Sequence, residues 1–326
     1  MTRRERVVAA LRGERVDRVP VSLWLHNFAT ENSAETLAAE TVRLARRFDW
    51  DFLKPQSRAQ CFAEMWGLRY TPSRERATPY TVTHAPLATA ADLRRLEPAD
   101  PKSGALGEQL RALELIRKVV GPDTPIIWTV FSPMMVLPFL LTGGRAQAVA
   151  LIRSEPAAVD HALEAMAVTL AAYARAAVGS GADGLFYATN MATCELSTAE
   201  ECRRFQRPYD LRILRAVEGA SFNVLHVCGA DVLFDEFVDY QATAFSWATV
   251  PGNPSLADAH RRTGRAVVGG LPAKPEIASR PPKEIEMRGR RAVAEMGGRF
   301  LLLGPDCSIN PDTPEDVMDA ATVATR

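Results

Sequence analysis

Short runs rich in apolar, β-branched and aromatic residues recur along the chain. They fall at Val19–Leu25, Trp50–Lys54, Pro125–Phe131, Gly184–Ala188, Phe222–Cys228, Thr243–Trp247, Arg265–Gly270 and Arg299–Gly304. Runs of this length and composition read as strands. Most are separated by segments with helical spacing: Leu106, Leu110, Leu113 and Val120 repeat on one face and stop at Gly121, and Val159, Leu163, Met166 and Leu170 repeat in a helix that ends near Gly179 or Gly181. Ser197-Thr198-Ala199-Glu200 has the form of a capping box opening a helix through Val217, bent or restarted at Pro208. Thr313-Pro314-Glu315-Asp316 is a second start signal, with Thr as cap, Pro in the first turn and acids over the positive end of the helix dipole.

Eight strands alternating with helices predict an α/β chain folded as a (β/α)8 TIM barrel rather than a doubly wound sheet. A single domain over residues 1–326 suits that architecture, and no internal repeat or low-complexity linker divides the sequence. The alternating stretch Leu68 to Leu87, around Thr71-Pro72-Ser73, reads as a small β-hairpin inserted after the second strand. The most apolar stretch, Pro125 to Leu141, is cut by Pro133 and Pro138 and reads as a buried strand followed by a loop, with no membrane role.

Charge narrows the partners. The 39 basic and 39 acidic side chains cancel, so no global field recruits nucleic acid or an anionic membrane, and a small molecule is the expected partner. Only 5 of the basic residues are Lys, which reads as a compositional habit before it reads as anion binding. Cysteines at 61, 194, 202, 228 and 307 are too irregularly placed for a disulfide framework, and the start Met1-Thr2-Arg3-Arg4-Glu5-Arg6 leads into no apolar signal region. Both point to a reducing, cytoplasmic setting.

His226-Val227-Cys228 closes the fifth candidate strand, and Cys307 lies just past the eighth. Residues two apart on a strand share a face, so His226 and Cys228 aim an imidazole and a thiol at one point. Barrel sites sit at the C-terminal strand ends, where Cys307 also arrives. His/Cys/Cys is a donor set that zinc accepts, and three protein ligands leave a fourth position for substrate. Cys61 reads instead as a buried small hydrophobe and Cys202 as a helix-face residue, while His84, His161 and His260 read as solvated.

The chain resembles the uroporphyrinogen decarboxylase superfamily along nearly its whole length. The residues that carry the resemblance are Arg4-Glu5-Arg6-Val7 to Gly13, Val16-Asp17-Arg18-Val19-Pro20-Val21, Gly181-Ala182-Asp183-Gly184, Leu196-Ser197-Thr198-Ala199-Glu200 with Phe205 and Pro208-Tyr209, and Leu303-Gly304-Pro305-Asp306-Cys307 with Pro311-Asp312-Thr313-Pro314-Glu315. The resemblance implies a barrel and one of two chemistries. Metal-free decarboxylases of the superfamily use an Arg-rich N-terminal segment, an Asp after the second strand and a Tyr. The zinc-dependent, corrinoid-linked methyltransferases, of methylcobamide:coenzyme M type, use His-X-Cys and a distant Cys. Here Trp24-Leu25-His26-Asn27-Phe28 and Lys54-Pro55-Gln56-Ser57 bring no Arg cluster and no Asp, whereas His226, Cys228 and Cys307 match the metal pattern.

Three readings follow. The first is a zinc-dependent methyltransferase: Zn²⁺ on His226, Cys228 and Cys307 holds an acceptor thiol as its nucleophilic thiolate, which takes a methyl group from a methyl-corrinoid or similar donor, supplied by a corrinoid protein partner. Glu195 or Cys194 is the expected fourth ligand at rest, unless water fills that position, and His26, Lys54, Tyr187, Asn190 and Trp247 are the pocket candidates at strand ends. Phe245-Ser246-Trp247 and Gly269-Gly270-Leu271-Pro272 lack carboxylates that many relatives carry there, so a homocysteine-like, folate or other acceptor stays open. The second reading is a metal-free decarboxylase of a porphyrinogen or other acid, and the third a non-catalytic corrinoid- or zinc-binding partner protein.

Overall fold

The computed structural model describes residues Met1–Arg326. Its strands are β1 (Arg69–Thr71), β2 (Thr81–His84), β3 (Ile127–Phe131), β4 (Gly184–Thr189), β5 (Val224–Val227), β6 (Ala244–Trp247), β7 (Ala266–Leu271) and β8 (Leu301–Pro305). Strands β3 to β8 lie side by side in chain order, every pair parallel. All their residues are buried except the half-buried Gly270, as in a sheet covered on both faces. Within 68–87, β1 and β2 pair antiparallel, with an irregularity between Arg69 and Tyr70.

The first two candidate strands form differently from the expectation. Residues 19–25 and 50–54 are extended and make isolated parallel bridges, Val21 to Leu303, Leu25 to Ile309 and Leu53 to Ile126, without continuous ladders. Pro20 has no N–H to give, and the Val21 N–H is taken by the Asp51 carboxylate at 2.9 Å. The backbone bonds that remain run from Ser22 N to Leu303 O, from Leu303 N to Pro20 O, from Ile309 N to Trp24 O, from Asp51 N to Val21 O, from Leu53 N to Pro125 O and from Ile127 N to Leu53 O. Through them the outer edges of β8 and β3 are tied to the two segments.

Asp51 also anchors the N-terminal helix. Its fully buried carboxylate meets Arg6 Nη1 at 2.7 Å and Arg18 Nη2 at 2.9 Å, and Arg6 bonds Asp17 through a second face of its guanidinium at 2.6 and 2.7 Å. Thr2 and Glu5 form the capping box that starts this helix, Arg3–Leu11.

The helix Gly104–Val120 ends at Gly121, where φ is +69°, and Pro156–Gly179 ends where its periodicity does. The latter is long and apolar enough to cross a membrane, and 61% of its most apolar window is buried within the fold. Three local expectations are corrected. Residues 133–140 are a helix, not a loop: Ser132 caps it by accepting from Met135 N, and Pro133 occupies the first turn, where its missing N–H costs nothing. The capping box near 198 is Thr198 with Glu201, one residue later than read, and the helix passes through a π turn at Cys202–Gln206 before restarting at Arg207. The last helix, Glu315–Val323, has Pro314 at its N-cap position with no side-chain cap, and the Thr313 hydroxyl donates to Asn310 O instead. One contiguous cluster of buried apolar side chains runs from Val7 to Ala324.

Candidate metal centre

Sheet register assembles the site. Ala188 of β4, His226 of β5 and Ser246 of β6 are partners across the ladder, so their side chains lie on one face in one layer. His226 is buried, stacks on Phe186 with centroids 5.0 Å apart, and has Nδ1 3.1 Å from Ser246 Oγ. Phe186 in turn meets the edge of Trp24 at 5.4 Å. After Cys228 the chain turns at Gly229, whose φ of +132° and close approach to Thr193 leave no room for a Cβ.

Cys307, past β8, arrives against Cys228 with the two sulfurs 3.7 Å apart. The ligand atoms of His226, Cys228 and Cys307 all lie within 4.8 Å of one another. Hydrogen bonding from Cys228 draws Cys307 well below the ordinary thiol value against the opposing effect of burial, aided by His226. Cys228 is pushed well above it by the same bond and by burial.

Two observations fit this trio to a tetrahedral metal ion. His226 Nε2 is buried without any hydrogen-bond partner, an arrangement that normally costs about 1–3 kcal/mol. A metal bond would satisfy it, with Nδ1–H donating to Ser246 as a supporting contact to the ligand. Two thiolates each about 2.3 Å from a tetrahedral zinc stand about 3.8 Å apart, close to the separation seen here.

Beside Cys228 opens a cleft of about 380 Å³ lined by Arg145, Asn190, Thr193, Cys194, Glu195 and Asp231 among others. Asn190 therefore sits with the sulfur, its Oδ1 buried and unpartnered. Cys194 and Glu195 are exposed on the rim and stand outside the three-residue ligand group, so the structure does not bring the expected fourth ligands to the trio.

Lys54 is buried with Nζ 4.8 Å from the Phe186 ring centroid. It donates to Gln56 Oε1, and Gln56 Nε2 lies 2.8 Å from His26 Nε2. An amide nitrogen can only donate, so His26 carries its proton on Nδ1 and gives it to Glu31 at 2.8 Å. His26 thus belongs to a part-buried network that runs through Gln56 and Lys54 to the face of Phe186.

Tyr187 and Trp247 are corrections. Both follow an inward residue by one position, so both point into the outer layer. The Tyr187 hydroxyl donates to Asp210 Oδ1 at 2.5 Å, and Trp247 Nε1 donates to Pro254 O at 2.9 Å while its ring packs on Phe234. Sequence reading also missed residues at the site. Ser246 stands in register with the histidine. Asp306 accepts from Thr249 N and Oγ1, both at 2.8 Å, and burial raises its carboxyl to about 6. For Asp306 the signal was available: it lies two residues beyond Gly304 and one before Cys307.

Residues 2–326 match the family Uroporphyrinogen decarboxylase (URO-D), and the chain belongs to that family. A uroporphyrinogen decarboxylase of Sorangium cellulosum is 28% identical over 73% of this chain and 68% of its own length. The methylcobamide:CoM methyltransferase MtaA of Methanosarcina barkeri is 25% identical over 99% of this chain and 97% of its own. The solved structure of a methyltransferase from Methanosarcina mazei superposes with a TM-score of 0.82, at 22% identity, covering 99% of this chain and 98% of that one, and so shares the fold.

Proposed function

We propose that this chain is a zinc-dependent methyltransferase that moves a methyl group from a methyl-corrinoid or similar donor to a thiol or related acceptor. The observation that carries the reading is the convergence of two sulfurs and a buried, unpartnered imidazole nitrogen at strand ends. A bound zinc would supply one thing: it would keep the acceptor sulfur ionised and nucleophilic at neutral pH. Support also comes from the end-to-end match to a methylcobamide:CoM methyltransferase, where the decarboxylase match is shorter.

In this reading the chain is one domain, its six-stranded sheet completed by segments 19–25 and 50–54 into an eight-membered cylinder whose mouth carries the site. His226, Cys228 and Cys307 are the metal ligands, and Ser246 holds the imidazole in the tautomer that leaves Nε2 free. Phe186 and Trp24 wall the site with apolar surface and exclude water. The cleft at Asn190 and Arg145 admits substrate, and a corrinoid protein is the expected partner.

The test is a methyl-transfer assay with zinc-loaded protein and methylcobalamin, following the corrinoid spectrum against a panel of thiols. Demethylation that depends on both the thiol and Cys307 supports the reading. Carbon dioxide release from uroporphyrinogen, unaffected by Cys307→Ser, would replace it with decarboxylation.

A further inference from the structure

Lys54 is a buried cation site without a counter-ion. The residue is 6% exposed, its hydrogen bond goes to the neutral amide of Gln56, and it forms no ion pair. The comparably buried Arg6 and Arg58 each meet carboxylates. Burying a lone ammonium is costly, and proteins avoid it unless a charge arrives to meet it. The charged groups facing Lys54 are Cys307 past β8, Glu31 from the loop after residue 25, and Lys274 past β7. Glu31 is already engaged by His26, by the Asn27 N–H at 2.9 Å and by Tyr80. The negative charge left for Lys54 lies on the sulfur side.

Charge bookkeeping at the trio completes the argument. Two cysteinates cancel a divalent ion, so the loaded site is neutral. An incoming thiolate makes it negative by one in surroundings too dry to screen that charge. We infer that Lys54 is the base that takes the acceptor thiol's proton as the sulfur enters the site, and that the resulting ammonium is the counter-charge that holds the thiolate there. The S–H bond breaks, its electron pair stays on sulfur, and an N–H bond forms on Nζ. When the sulfur leaves as a neutral thioether, the ammonium again faces no anion and returns its proton to solvent.

Two features suit Lys54 to this role. Burial, the dominant influence, lowers the amine to about 7, so it is largely unprotonated just above neutrality. The chain from Lys54 through Gln56 and His26 to Glu31 fixes Nζ beside Phe186, on which the ligand His226 is stacked.

This inference rests on the proposed thiol-binding function, and the test separates the two. Protein loaded with Co²⁺ in place of zinc is titrated with 2-mercaptoethanol between pH 6.5 and 9, read from the cobalt absorption bands. In wild type, affinity is expected to level off above about pH 7.5, because the proton stays on the protein. In Lys54→Met it should be weaker and should keep rising about tenfold per pH unit to the top of this range, because 2-mercaptoethanol is less acidic than a cysteine side chain (about 8.5) and one proton now goes to solvent. Lys54→Arg, permanently charged, should rise like Lys54→Met but bind more tightly. Superimposable pH profiles for wild type and Lys54→Met would overturn the role of Lys54. Failure of Co²⁺ to load, or of 2-mercaptoethanol to change the bands of loaded wild type, would overturn the underlying function instead.

Discussion

Ser246 Oγ stands 3.1 Å from His226 Nδ1, across the β5–β6 ladder. A hydroxyl in this position fixes which imidazole nitrogen is left to bind metal. Ser246→Ala should therefore leave the fold intact and weaken zinc binding by about 10–100-fold. Competition against a chromophoric chelator measures this, and unchanged affinity would remove Ser246 from the site.

Arg6, Arg18 and Asp51 pin the N-terminal helix to the segments that flank the sheet edges. Asp51→Ala strips a fully buried carboxylate from Arg6 and from the Val21 N–H. Breaking such a pair from one side costs about 3–5 kcal/mol, and a loss of that size is expected in urea unfolding at pH 7. A change below 1 kcal/mol would mean that the cluster does not hold the edges together.

Asp210 is buried among Tyr187, Gln206 and Tyr240, and desolvation raises its carboxyl from 3.8 to about 7. Between these values the folded state keeps a proton that the unfolded state has lost, so this group's contribution to stability falls as pH rises from 4 to 7. Asp210→Asn stays neutral throughout. The stability of wild type relative to the variant should therefore drop between pH 5 and pH 8, by an amount on the order of 2–4 kcal/mol. Thermal or urea unfolding at both pH values gives the comparison, and a pH-independent difference would show that Asp210 ionises normally.

Much of this arrangement was legible in the sequence. The six strands β3 to β8 coincide with apolar runs, and the spacing His226-Val227-Cys228 placed two ligands on one face because strand parity is local. Tyr187 and Trp247 were misplaced because proximity to a strand end does not reveal which parity faces inward. Ladder register decides that: Ser246 pairs with His226, and Trp247 is turned away. The helix at 133–140 was missed because two prolines read as breaks, although Ser132 before Pro133 is a cap followed by a helix-compatible proline. The ragged first two strands follow from Pro20 and from a side chain thirty residues away that captures the Val21 N–H. The isolation of Lys54 is likewise a property of what surrounds it in space, which no local pattern records.

The central claim is that His226, Cys228 and Cys307 hold one metal ion. Elemental analysis of protein purified without chelator tests it most directly, alongside Cys228→Ser, Cys307→Ser and His226→Ala variants shown to be folded by circular dichroism. The account predicts about one zinc per chain in wild type and near-complete loss in each variant. Metal-free wild type that also fails to take up added zinc, or variants that retain full zinc, would contradict it.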